Sequence, residues 1–401
     1  MIKKDNFFKN YFINLSKYNK NIKKTKKIFK SFLAEVKGNK IPLLDTYDKN
    51  YKFNFSKKIV KKFSKYKNII IIGMGGSILG TKSIYSFFKD KVRKKIFFFD
   101  NLDSNLHSKF RKIKNLENSC FIVVSKSGNT LETITNLGIV FSKKLLKKRL
   151  IIITEKNNNI LMDIANKYDA EIIEHENYIG GRYSVMSDSS MFPAALMGLN
   201  LLKFKNLKKL IIDKNFVSTL IHNVASIYTL NLNKINNSVI LNYDSKLNNL
   251  GYWYQQLVSE SLGKKGKGIN PILSFGPKDH HSLLQLYLDG PRDKFFTFFN
   301  SSLTKKYRVK EEIALNRLSF LKNKGLTNII NAQCSAVKNI FFKKKIPFRE
   351  ITFNKNDENE IGKIFTFFVL ETILLSRLMN VNPFDQPAVE QVKIETKRLL
   401  N

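Results

Sequence analysis

From residue 69 onward, short apolar runs alternate with longer stretches whose apolar positions recur at helical spacing. Ile69–Ile72, Ile96–Phe99, Phe121–Val124 and Leu150–Ile153 are continuously apolar, the pattern of strands covered on both faces. The chain between successive runs is long enough for a crossover helix, which predicts a doubly wound parallel α/β sheet. A less regular middle stretch follows. The alternation restarts with Val239–Leu241, Ile272–Phe275, Phe295–Phe298 and Phe348–Phe353. Helical patterns lie between them, notably Lys310–Leu321 and Asn328–Phe341, so a second α/β sheet is expected. Two last helices, Ile361–Met379 and Ala388–Leu400, are expected to pack back on the rest.

Length agrees with this division, since 401 residues exceed one ordinary core. We expect a helical segment over 1–50, α/β domains over 51–205 and 206–380, and a C-terminal helix over 381–401. The boundary falls in Lys- and Asn-rich sequence between Asn200 and Asn215. An apolar content of 43% with 12% aromatics belongs to a folded globular protein. Cys120 and Cys334 stand far apart, which argues against a disulfide framework or a cysteine zinc site and fits a reducing cytoplasm. The start, Met1–Asn6, is charged and lacks the apolar core of a secretory signal. The longest apolar run, Ile364–Leu375, is cut by Glu371 and is too short for a bilayer. A net charge of +38, from 70 basic and 32 acidic residues, attracts any anion. The basic runs Lys23–Lys27, Lys143–Arg149 and Lys343–Lys345 flank apolar segments as solvated faces do, and no aromatic and basic module points to nucleic acid.

Two loops read as phosphate sites. Ile69–Ile72 runs into Gly73-Met74-Gly75-Gly76-Ser77 and then a helix, whose free amides and positive end suit an anion. A tight structural turn or a dinucleotide loop are alternatives, although Ile78 stands where a dinucleotide fingerprint wants glycine. Phe121–Val124 leads into Ser125-Lys126-Ser127-Gly128-Asn129-Thr130 and a second helix. Hydroxyls, a lysine and fresh amides converge there, with Asn129 and Glu132 spaced as a capping pair. An ordinary N-cap is the alternative. Both loops follow strands of one sheet, at the ends where open α/β sheets bind ligands.

Other groups carry possible chemistry. Gly251–Leu262 reads as a helix stopped by Gly263, with Gln256 and Glu260 on one face. Glu260 lies in the last turn, where the helix dipole raises a carboxylate pKa and suits a general base; a surface glutamate is the alternative. Gly276-Pro277-Lys278-Asp279-His280-His281-Ser282 reads as a helix start capped by Asp279, bearing two histidines able to exchange protons with a hydroxyl; a capping or core histidine is the alternative. Gly180-Gly181-Arg182 lets a guanidinium approach a ligand and stabilise an oxyanion. Lys393 lies in a terminal helix that begins after Pro387, where a solvated lysine is the ordinary reading.

In order along the chain, Gly73–Ser77, Ser125–Thr130, Gly180–Ser184, Glu260–Lys264, Asp279–Ser282 and Phe384–Lys393 resemble the glucose-6-phosphate isomerase (phosphoglucose isomerase) family. The resemblance implies two doubly wound, three-layer α/β/α sugar-isomerase-type domains with a C-terminal helix. It also implies a cytoplasmic homodimer with shared sites, no metal or cofactor, no membrane or nucleic-acid partner, and interconversion of glucose 6-phosphate with fructose 6-phosphate. On the same resemblance Gly76, Ser77, Ser125, Lys126, Ser127 and Thr130 bind the phosphate, and Gln256 lines the pocket. Glu260 is implied as the proton-transferring base and Arg182 as the group that stabilises the enediolate. His281, from the neighbouring subunit, and Lys393 are implied in ring opening. Related activities are acceptance of mannose 6-phosphate or non-catalytic sugar-phosphate binding. The chain departs from the family at Asn129, where a hydroxyl is common, at His280, where glutamine is common, and at Asp188, where small uncharged residues are usual.

Overall fold

The computed structural model describes residues 14–301, 307–313 and 316–400. The start Met1–Asn6, the first part of the 1–50 segment, and Ala314 and Leu315 of the Lys310–Leu321 pattern lie outside them. The chain forms two compact units. The first is Ala34–Lys209 with Ile361–Val369; the second comprises the described residues up to Leu33, Leu210–Glu360 and the described residues from Leu370 on.

Among the described residues, the first unit holds strands β1 (Asn68–Gly73), β2 (Lys95–Phe99), β3 (Ser119–Val124), β4 (Leu150–Thr154) and β5 (Glu171–Glu174) in the order β2-β1-β3-β4-β5. All neighbouring pairs are parallel. Every residue of β1, β3 and β4 is buried, which is why these strands read as unbroken apolar runs. On one face Ile70, Ile72, Phe121, Val123 and Ile152 pack with Leu137, Val140 and Leu161 of the flanking helices. Strand β5 escapes the sequence reading because it pairs only with β4 and carries a glutamate at each end.

The second unit holds β6 (Asn237–Asn242), β7 (Asn270–Phe275), β8 (Lys294–Ser301) and β9 (Phe348–Phe353), ordered β7-β6-β8-β9 and again parallel. Helix Leu326–Lys343 covers one face: Phe341 meets Phe296 edge-on at 4.6 Å, beside Cys334 and Val337. The Lys310–Leu321 pattern does not give the expected helix. It forms 3-10 turns at Glu311–Ile313 and Asn316–Leu321, with non-helical geometry at Leu318. Asp357 caps helix Glu358–Met379 by accepting from the Glu360 amide at 2.8 Å, and left-handed Asn380 ends it. Helix Ala388–Leu400 does not pack back as expected: none of its residues is buried. No described helix is long and apolar enough to cross a membrane.

A fully buried ion pair crosses the second unit. Arg349 of β9 meets Glu371 of helix Glu358–Met379 at 2.6 Å. Its remaining N–H groups donate to Thr297 Oγ1 of β8 at 2.7 Å, Asn223 Oδ1 of helix Lys214–Leu232 at 2.8 Å and Tyr254 Oη of helix Asn248–Leu262 at 3.3 Å. Glu371 is the same carboxylate that interrupts the longest apolar run. Removing one partner strands the other in an apolar interior. Glu371→Ala is therefore expected to destabilise the protein by about 3–5 kcal/mol, and the double variant Arg349→Met/Glu371→Leu by clearly less, in urea unfolding.

Candidate active site

In the first unit the chain leaves β1 for β2 on one side and then crosses to β3 on the other, so the switch point of the sheet lies between β1 and β3. Open parallel sheets bind ligands there, outside the carboxyl ends of the strands. Both phosphate-type loops leave these two ends, which sit in register at Gly73 and Val124.

After β1, Gly75 takes φ +51° as the residue before helix Gly76–Phe88. A left-handed turn of this kind favours glycine. Gly76 is glycine for a different reason: a Cβ there would stand 2.1 Å from the Gly181 carbonyl carbon and 2.6 Å from the Arg182 nitrogen. The loop after β1 is thus in backbone contact with the arginine turn, Gly181–Met186. A Cβ on Gly180 or Gly181 would meet only ordinary contacts, at 3.6 Å. The tight glycine is Gly76, not the pair preceding Arg182. Ser184 Oγ reinforces the contact by donating toward Gly76 O at 3.2 Å and Gly181 O at 2.8 Å. Arg182 is 1% exposed, with its guanidinium 5.2 Å from the Tyr183 ring centroid.

After β3, buried Ser125 closes the second loop by sharing a hydrogen bond with Thr130 Oγ1 at 2.8 Å. The expected capping pair does not form. Thr130 holds the N-cap position of helix Leu131–Val140 without a side-chain cap bond. Asn129 Oδ1 instead accepts from the Ile160 amide at 3.0 Å, replacing the local cap with a link to the next crossover. Ser127 is exposed, and Lys126 Nζ donates to Asn177 O at 2.6 Å with Glu155 Oε1 3.6 Å away. Beside it, burial pushes the His175 imidazole down to about 4, so that ring stays neutral.

Asp188, the unusual carboxylate, begins helix Asp188–Leu196 just beyond the arginine turn and is buried. It accepts from the Asn54 amide at 2.7 Å and Tyr51 Oη at 3.2 Å. Lys205, also fully buried, places Nζ 3.9 Å from the Phe53 ring centroid and 4.4 Å from that of Tyr51. The ammonium has aromatic faces in place of hydrogen-bond acceptors. Burial pushes Asp188 up to about 6 and Lys205 down to about 7, the latter opposed by Asp188 and Asp48. The sequence signal was the alternation Tyr51-Lys52-Phe53-Asn54-Phe55, which turns the three rings to one side.

In the second unit, helix Asn248–Leu262 carries Gln256 and Glu260, joined by a 2.8 Å bond from Gln256 Nε2 to Glu260 Oε1. Gln256 Oε1 is buried without a hydrogen-bond partner, an acceptor open to a hydroxyl. Lys264 pairs with Asp385 at 2.9 Å and donates to Asn382 O, which ties the Glu-Ser-Leu-Gly-Lys motif to Phe384-Asp385-Gln386. The Lys264 hydrogen bond holds the Asp385 carboxyl below its ordinary range. Lys393 is 65% exposed and paired with Glu390 at 3.0 Å.

The histidines lie elsewhere in this unit. Asp279 does not cap a helix bearing them; it reaches back to accept from the Phe275 amide at 2.7 Å and Ser274 Oγ at 2.9 Å, leaving His280 and His281 on a 3-10 turn, Lys278–His281. That turn follows the carboxyl end of β7. Glu260 lies toward the opposite end. Gly251 abuts Leu273, and Gln255 Nε2 donates to Pro271 O at 2.9 Å, so the helix descends toward the start of β7 and Glu260 lies roughly 7 Å further along. With roughly 17 Å between the ends of β7, Glu260 and His281 of one chain sit at opposite ends of the sheet.

Gly76→Ala should push the first loop off the arginine turn and lower stability by about 2 kcal/mol; thermal unfolding checks this. Because native Lys205 releases its proton near 7 rather than at the ordinary 10.5, the unfolded chain binds more protons in between. Stability should therefore rise from pH 7 to pH 9 by roughly 2 kcal/mol, and Lys205→Met should abolish that rise in urea titrations at each pH.

Comparison with known proteins agrees with this arrangement. The phosphoglucose isomerase family model matches residues 43–275. The chain is 33% identical to a glucose-6-phosphate isomerase of Methanocaldococcus jannaschii, over 85% of this chain and 86% of that one. It is 30% identical to a glucose-6-phosphate isomerase of Campylobacter jejuni, over 89% and 90%. Among solved structures, a hypothetical protein from Thermus thermophilus superimposes with a TM-score of 0.86 at 21% identity, covering 100% of this chain and 99% of that one. A glucose-6-phosphate isomerase from Chlamydia trachomatis gives 0.73 at 18% identity, covering 86% and 71%. With its two parallel α/β sheets, its paired phosphate-type loops and these relatives, the chain belongs to the phosphoglucose isomerase family.

Proposed function

We propose that this protein interconverts D-glucose 6-phosphate and D-fructose 6-phosphate, an aldose-ketose isomerisation of glycolysis and gluconeogenesis, by proton transfer through an enediolate. Membership of a family whose named relatives are glucose-6-phosphate isomerases carries the reading.

The unreacting phosphate binds the loops after β1 and β3, where Gly76 and Ser77, Ser125, Ser127 and Thr130 supply amides and hydroxyls. Lys126 adds positive charge by swinging from Asn177. Anchoring this end lets binding energy position the reacting carbons. Glu260 takes the C2 proton of the open aldose and returns it to C1, while the hydroxyl proton on O2 passes to O1. Gln256 orients the carboxylate through its amide hydrogen bond and offers Oε1 to a sugar hydroxyl. Arg182 stabilises the enediolate oxygens. Ring opening needs one proton removed from the C1 hydroxyl and one delivered to the ring oxygen, tasks for His281 and Lys393.

The placement of Glu260 and His281 at opposite ends of one sheet supports a site completed by the histidine of a second copy, hence a homodimer. Exposed Val389, Val392 and Ile394 on the terminal helix offer apolar surface for such an assembly. The buried free thiols Cys120 and Cys334 fit a cytoplasmic setting. Excess positive charge speeds capture of a dianionic substrate.

Glu260→Gln keeps the side-chain shape and removes the base. Its kcat should fall by about 10³-fold or more with KM changed only a few-fold, and deuterium exchange at C2 in heavy water should fall in parallel. Turnover equal to wild type would remove Glu260 from the chemistry.

A further inference from the structure

One element beside the histidines is left over from the chemistry above. Tyr243 follows β6 directly, and its ring lies against Gly276, where a Cβ would come within 2.6 Å of two ring carbons. A larger residue at 276 has no room. The same ring stacks on Phe298 of β8, with centroids 6.1 Å apart and planes 13° from parallel. The hydroxyl of this fixed ring meets His280 Nε2 at 2.7 Å, and the two rings sit edge to face at 5.6 Å. Asp279 holds the same turn to the end of β7. His280 is half-buried, whereas His281 is exposed.

From this geometry we infer that His280 is a positioning residue: bonded to Tyr243, it locks the Gly276–Ser282 turn so that His281, and not His280, is presented to the sugar. The inference rests on the isomerase reading for the task of His281.

Two adjacent histidines would otherwise compete for one substrate hydroxyl, and a turn free to rock would split its population between them. The Tyr243 bond removes that choice. Burial pushes the Tyr243 phenol up, so it remains a donor. Burial pushes His280 down, with His281 acting in the same direction and Asp279 against it, so its imidazole remains neutral. In the lock we infer, the phenol donates to Nε2 and the proton of His280 sits on Nδ1. A protonated His280 would turn Nε2 into a second donor facing the phenol, and the bond would have to reverse.

Five variants and one chemical footprint test this. Tyr243→Phe keeps the stacked ring and removes the hydroxyl, His280→Leu removes the acceptor, and His280→Gln restores an acceptor without an imidazole. Tyr243→Phe and His280→Leu should each lower the kcat for fructose 6-phosphate about 10-fold with KM within about threefold, and the double variant should be no slower than either, because they break one bond. His280→Gln should recover kcat to within about threefold of wild type, whereas His281→Gln should not. Carbethoxylation of His280 by diethyl pyrocarbonate, read by mass spectrometry, should be faster in Tyr243→Phe than in wild type. Unchanged kcat in both Tyr243→Phe and His280→Leu would overturn the inference. So would a His280→Gln variant as slow as His281→Gln, which would put His280 itself at the sugar. An inactive wild-type protein would remove the isomerase reading; the lock would then be judged by the footprint alone, and equal His280 rates in the two proteins would refute it.

Discussion

The second unit is organised around one buried charge pair. Arg349 and Glu371 are both fully inaccessible, and through Thr297, Asn223 and Tyr254 they join β8, β9 and three helices. A charge taken out of water persists only when its partners are fixed, so each of these elements is held in one register by the requirement that the guanidinium be satisfied. Tyr254 is the link with functional weight: it lies on the same helix as Gln256 and Glu260, with its hydroxyl 3.4 Å from Glu371 Oε1. The helix that carries Glu260 is thus pinned at its middle.

The first unit solves a different problem with different means. The central strands β1, β3 and β4 are fully buried, and the loops that leave β1 and β3 are shaped largely by backbone: a left-handed Gly75, a Gly76 pressed on the arginine turn, and a loop closed by Ser125 and Thr130. On the proposed function, groups that hold a doubly charged phosphate gain from being preformed, because donors already aimed at an anion need no reorganisation when it arrives. Lys126 is the exception, since its ammonium is engaged with a backbone carbonyl.

Much of this was legible in the sequence wherever burial wrote itself as composition. The strands β1, β3 and β4 are buried on every residue and could be read directly; β5, at an edge and bounded by glutamates, could not. The loops were found because strand, glycine or hydroxyl, and helix follow one another locally. Local logic also misled. Asn129 and Asp279 both look like helix caps, yet each commits its side chain to a neighbouring strand end or crossover. The terminal helix has apolar residues at helical spacing, but none of them is buried among the described residues. Long-range partners explain the rest: no pattern announces that Gly76 faces Gly181, or that the charges interrupting two apolar segments, Arg349 and Glu371, meet each other.

The contact between Gly76 and Gly181 also sets limits for anyone who would redesign the catalyst for another phosphorylated sugar. Two main chains touching at that point leave no room for a side chain at position 76, so substitutions there would mostly displace the loop rather than reshape it. On the proposed function, the loop after β3, with exposed Ser127 and Asn129, is the adjustable wall, and altered ligand preference should be sought by varying it.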